Sequence, residues 1–123
     1  MAGRKALVGV CGSGPDAVCL AKLGADVSAF DLSLDQLNLD HEPASAFNLR
    51  IDFQQMSAEE SQYPADSFDL VLARDILHHC EPDRAVSQIR RVSKPGALIV
   101  INEVYTHSWL ERIRRTRLLH EWI

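Results

Sequence analysis

The sequence predicts a doubly wound α/β domain on a mainly parallel five-stranded sheet, followed by a C-terminal helix. Three observations carry that expectation. Apolar runs of strand length alternate with helical segments along the chain. The runs "KALVGV" and "FDLVLARD" are apolar enough for strands covered on both faces. The connections between segments are short, and such alternation implies parallel strands with helices on both sides and right-handed crossovers.

Each element has a local reason. "KALVGV" is the first strand, and Gly12 to Gly14 form the turn that ends it. Pro15 suits the first position of the following helix, where a missing N–H costs nothing, and Asp16 complements the helix dipole. Gly24 is placed to end that helix. "ADVSAFD" is a second strand. Ser33 is the expected N-cap of "SLDQLNLD", a helix that Pro43 closes or interrupts. "NLRIDFQQM" alternates Leu49, Ile51 and Phe53 as a third strand, and "FDLVLARD" is the fourth. "PDRAVSQIRRVS" is a helix with Ala85, Val86, Ile89 and Val92 on its inner side. A turn at Pro95-Gly96 precedes the fifth strand, "GALIVINEV".

Composition narrows the functional classes. The chain has 123 residues, 46% hydrophobic and 24% charged, enough for one core. Cys11, Cys19 and Cys80 are an odd number without metal-ligand spacing, which suits a reducing, cytoplasmic setting. The apolar run after Arg4 and Lys5 is too short for a signal peptide, and no stretch has the length of a membrane span. Residues 26–83 hold thirteen acids against Arg50 and Arg74, whereas residues 84–123 hold eight Lys/Arg against three Glu. The acidic middle argues against nucleic-acid binding. Arg112, Arg114, Arg115 and Arg117 read as the solvated side of a helix.

In open parallel sheets ligands bind beyond the carboxyl ends of the strands, beside the first strand's turn. Gly12-Ser13-Gly14-Pro15-Asp16-Ala17 fits G-x-G-x-x-A, and Asp31 follows Gly12 by nineteen residues, near the spacing of a ribose-binding acid. Taken alone, the turn suits any adenosine-containing cofactor: NAD, FAD or S-adenosylmethionine.

Downstream segments narrow the choice. Phe68-Asp69-Leu70-Val71 entering the fourth strand, Ser57-Ala58 after the third, and Arg91-Val92-Ser93-Lys94-Pro95-Gly96-Ala97 before the fifth follow the glycine turn and Asp31 in order. Together, over residues 6–104, they resemble the class I S-adenosylmethionine-dependent methyltransferases of small molecules, with a Rossmann-like core. The resemblance implies S-adenosylmethionine as cofactor and methyl transfer to a small-molecule O, N or C acceptor. It implies that Asp31 binds the ribose hydroxyls, Leu32 lies against the adenine, and Ser57 and Ala58 lie at its edge. Ala73 and Arg74 would line the methionine portion, with the Cys11, Gly12 and Gly14 backbone facing ribose and carboxylate.

Three positions depart from the family's pattern. Val8 stands where an acid is usual, Val10 where the first glycine is, and Ser57 where an aspartate is. Exchanging charge-assisted for neutral contacts at two of them weakens cofactor binding by about ten- to a thousand-fold. Methyl transfer needs alignment above all, and a base only where the acceptor loses a proton. Asp75, His78 and His79 follow the fourth strand on the ligand-facing rim, and His79 matches a histidine frequent in this family segment. A helix-start histidine bonded to backbone is the plainer alternative. His78, His79 and Cys80 are adjacent and cannot readily converge on one ion, so no metal is expected.

The domain core is expected over 1–104 and an amphipathic helix of the same domain over 105–123, capped by Thr106 or Ser108. Trp109, Ile113, Thr116, His120 and Ile123 form one stripe, and Leu118 and Trp122 point elsewhere. Relatives in the family usually continue into further strands, so the chain reads as a truncated or minimal form. An uncovered fifth strand and a two-sided helix imply a second copy or a partner subunit. Two rivals stay open: a catalytically silent methyltransferase-like module that pairs with another chain, and an NAD-binding oxidoreductase fragment.

Overall fold

A computed structural model of the chain describes residues 2–9, 14–74 and 80–102. The elements follow in the order β1 (Lys5–Gly9), α1 (Gly14–Lys22), β2 (Asp26–Asp31), α2 (Leu34–Ala46), β3 (Ile51–Gln55), β4 (Phe68–Arg74), α3 (Pro82–Val92) and β5 (Ser93–Asn102). The strands form one sheet in the order β3-β2-β1-β4-β5, and all four pairings are parallel. The expected α/β architecture is therefore present, with β1 at its centre.

Alternation along the strands divides the core in two. Ala6 and Val8 of β1, Val27 and Ala29 of β2 and the partly buried Ile51 and Phe53 of β3 pack with Ala17 of α1 and Leu37 of α2. On the opposite face Leu7, Phe30, Val71 and Ala73 pack with Ala85, Val86, Ile89 and Val92 of α3, the four residues expected inside. Tyr63 and Phe68 meet edge to face there, with centroids 5.2 Å apart.

The helix boundaries follow from capping. Ser33 Oγ accepts from Gln36 N–H at 3.2 Å, as its N-cap role requires. At the end of α1, Ala25 N–H reaches Leu20 O and Gly24 N–H reaches Ala21 O, with Gly24 at φ +93°. That is a Schellman ending, which favours glycine. Pro43 lies inside α2 without stopping it, and the helix runs on to Ala46. A proline so near the end forfeits one backbone hydrogen bond, in the last turn. Asn48 then turns the chain at φ +56°.

Pro95-Gly96 lies within β5, as an irregularity, instead of forming a turn before it. Phe68 pairs with Ser93 but Leu70 with Leu98, so β5 carries extra residues between those pairs. Asp69 sits at this bulge. Its carboxylate accepts from Lys5 N–H at 2.9 Å and from Lys94 Nζ at 3.3 Å, and Arg4 lies 3.9 Å away. These donors, the Lys5 N–H first, hold its pKa below the usual 3.8. Arg91 performs a similar task beside it: its Nη2 donates to Ser61 O and Tyr63 O at 2.9 and 2.8 Å, tying the β3–β4 connection to α3.

Candidate functional site

The carboxyl edge of the sheet is where the strands deliver the residues singled out from the sequence. β1 ends at Gly9, flanked in register by Phe30 of β2 and Ala73 of β4. Asp31 is the next residue of β2 and pairs with Gln55, the last of β3. Because β1 leads to β2 on one side and is bordered by β4 on the other, the strand order reverses here and opens a crevice.

Asp31 is held in a specific way. Its Oδ1 accepts from Ser33 N–H at 2.9 Å, while Oδ2 is buried and finds no partner among the described residues. A buried carboxylate oxygen left unpaired is costly unless something supplies a donor. A ribose hydroxyl has the chemistry required, so the residues present fit an adenosine-containing group. Leu32 follows, 59% exposed, an apolar surface at the same edge. Gln55, which sequence reasoning passed over, donates from Nε2 to Leu32 O at 3.0 Å and so orders this segment. Its signal was its place at the end of β3, opposite Asp31.

Ser57 and Ala58 come two and three residues after β3, both partly buried. Ser57 Oγ accepts from Glu59 N–H at 3.1 Å, leaving its hydroxyl proton and one lone pair for other contacts. Ala73 is buried against the α3 side of the sheet. Arg74, beside it, points to the other face and meets Asp16 of the first turn of α1, Nε to Oδ2 3.3 Å. Both atoms are shielded from solvent, and their alignment is too poor for a hydrogen bond. This pair across the crevice was missed from the sequence, where Asp16 reads only as a complement to the helix dipole.

Gly14 opens α1. Val10, Cys11, Gly12, Ser13, Asp75, His78 and His79 lie outside the described residues, as does the C-terminal segment. Among the described residues, no three His, Cys, Asp or Glu side chains are grouped to hold a metal, and no helix is long and apolar enough to cross a membrane. A cleft of about 340 Å³ opens elsewhere, at the amino ends of β1–β3 beneath the β3–β4 connection. It is lined by Lys5, Asp26, Ser28, Asp52, Gln54 and Tyr63 among others, and none of the expected site residues reaches it.

The motifs of the downstream half turn out to be structural. Asp69, Lys94 and Arg91 clamp the amino edge of the sheet, at the opposite end from Asp31.

Comparison with known proteins gives this geometry a family. Residues 8–101 match the family described as "Methyltransferase domain". The ubiquinone biosynthesis O-methyltransferase of Methylococcus capsulatus is 36% identical over 101 residues, covering 80% of this chain and 43% of that protein. The enzyme of the same name from Azoarcus sp. is 33% identical over 102 residues, with the same coverage of 80% and 43%. The chain thus spans less than half the length of these curated relatives. A crystal structure of a SAM-dependent methyltransferase from Aquifex aeolicus superposes with a TM-score of 0.79 over 92% of this chain and 70% of that one; at 20% identity the likeness is one of fold. A chain in which the glycine turn, the acid ending β2 and the β4–β5 motifs occur together on this sheet belongs to the class I S-adenosylmethionine-dependent methyltransferase family.

Proposed function

We propose that the chain binds S-adenosylmethionine across the carboxyl ends of β2, β1 and β4 and serves methyl transfer to a small-molecule acceptor. One observation carries the reading: Asp31, with one carboxylate oxygen fixed by Ser33 N–H and the other buried and unpaired. Family membership supports the cofactor, and the O-methyltransferase relatives support a small acceptor; both weigh against an NAD-binding oxidoreductase.

When bound, S-adenosylmethionine supplies an electrophilic methyl group on a positively charged sulfur. Asp31 Oδ2 accepts from a ribose hydroxyl while Oδ1 keeps the Ser33 N–H. Leu32 covers one face of the adenine, and Ser57 and Ala58 border its edge. Ala73 and Arg74 would line the methionine portion, and the Cys11, Gly12 and Gly14 backbone would face the ribose and carboxylate. His79 takes the proton of an acceptor hydroxyl. The free thiol of Cys19 agrees with a cytoplasmic location. The place of β5 at the edge of the sheet among the described residues supports association with a second chain, which light scattering tests and a clean monomer overturns.

Calorimetric titration with S-adenosylhomocysteine, S-adenosylmethionine and NAD tests the reading. Binding of the sulfur compounds is expected, at least tenfold weaker in Asp31→Ala; no heat from either at millimolar levels refutes the cofactor. An unchanged affinity in Asp31→Ala refutes the placement of the ribose.

A further inference from the structure

The Asp16–Arg74 pair stands at the crevice and carries a charge question that packing alone does not answer. Arg74 is the last residue of β4 and Asp16 lies in the first turn of α1, so the two bridge the point where the strand order reverses. Their side chains are 43% and 24% exposed. The facing atoms, Nε and Oδ2, are nevertheless shielded from solvent, 3.3 Å apart, and neither has a hydrogen bond among the described residues. The contact is one of charge more than of alignment. Behind it the sheet face is apolar: Val8 is in register with Leu72 and packs with Ala17, so Val8 offers Arg74 no compensating charge.

The two ligands of a methyltransferase differ in charge at one atom. S-adenosylmethionine carries a sulfonium cation, whereas S-adenosylhomocysteine, its demethylated product, has a neutral sulfur. An uncompensated arginine lining the methionine portion repels the first and leaves the second nearly unaffected. We propose that Asp16 is a specificity-determining residue: it neutralises Arg74, so that the cationic methyl donor is not disfavoured against its neutral product. The inference rests on the binding of S-adenosylmethionine proposed above. A pair that only braced α1 against β4 would, when broken, weaken both ligands alike. A charge effect falls on the sulfonium alone.

Calorimetric titration of both compounds gives the ratio of their dissociation constants, in which any loss common to the two cancels. Asp16→Asn should raise the ratio of S-adenosylmethionine to S-adenosylhomocysteine about three- to tenfold, the effect of one partly screened unit charge on another. Arg74→Gln should lower it by a similar factor, because Asp16 is then left to attract the sulfonium. The double variant, again neutral at the pair, should return the ratio close to the parent value. A ratio unchanged in Asp16→Asn overturns the proposal and leaves the cofactor reading intact. So does a shift in Asp16→Asn with none in Arg74→Gln, which makes Asp16 act without Arg74. Should Asp16→Asn fail to fold, Arg74→Gln decides: a lowered ratio supports the proposal, and an unchanged or raised one overturns it. Heat from neither compound in the parent removes the cofactor reading and this inference with it.

Discussion

Val8 lies between Ala29 of β2 and Leu72 of β4, fully buried against the α1 side of the core. The family's usual acid at this position has been replaced by packing. Restoring it as Val8→Asp would bury a carboxylate among Ala17, Val27 and Ala29, and should cost at least about 3 kcal/mol in denaturant unfolding. Asp69 is the contrasting case, a charge the fold uses. Its folded pKa is lowered, so its contribution is complete above the ordinary 3.8 and is lost as pH falls through the lower folded value. Asp69→Asn should therefore lessen stability at neutral pH and flatten its decline below about pH 4, read by urea midpoints across pH. Tyr63 carries a third kind of residue effect. Burial, with the Asp52 charge second, pushes its phenol pKa well above the ordinary 10.0.

At the scale of elements, helix starts are set locally and should respond locally. Ser33→Ala removes the acceptor for Gln36 N–H but leaves the Ser33 N–H to Asp31 in place. A loss of about 1 kcal/mol is expected in thermal or denaturant unfolding, with ligand affinity nearly unchanged. The strands and helices were legible because their signals are local: apolar runs, caps, and glycine at the end of α1. Two features were not. Pro95-Gly96 reads as a turn by composition, and only the pairing of Phe68 with Ser93 draws it into β5. The Asp16–Arg74 pair joins residues far apart in sequence, and no short-range pattern announces it. Asp31 was legible as a candidate because its spacing from the turn is a property of one β-α-β unit. Gln55 was not, because its role depends on the register between β2 and β3.

For the whole molecule, a ligand that binds only the folded state must stabilise it. S-adenosylhomocysteine at a hundred times its dissociation constant should add about 2.7 kcal/mol. Thermal unfolding should show this as a rise of several degrees, cut by about half or more in Asp31→Ala at the same concentration; an equal rise in both would mean that the compound binds elsewhere. The bulge at Asp69 has a consequence for how this chain finds its fold. Alternation normally tells a strand which register to adopt, since a slip by one residue exchanges buried and solvated faces. β5 offers no such instruction, because Leu98 and Val100 on one side are as apolar as Ile99 and Ile101 on the other. Its alignment must therefore be dictated from its first residues, where Asp69 grips Lys94 and Gly96 adopts φ +81°. Deleting one residue there would shift β5 by a place without exposing any charge, giving a misthreaded sheet whose hydrophobic pattern still looks correct.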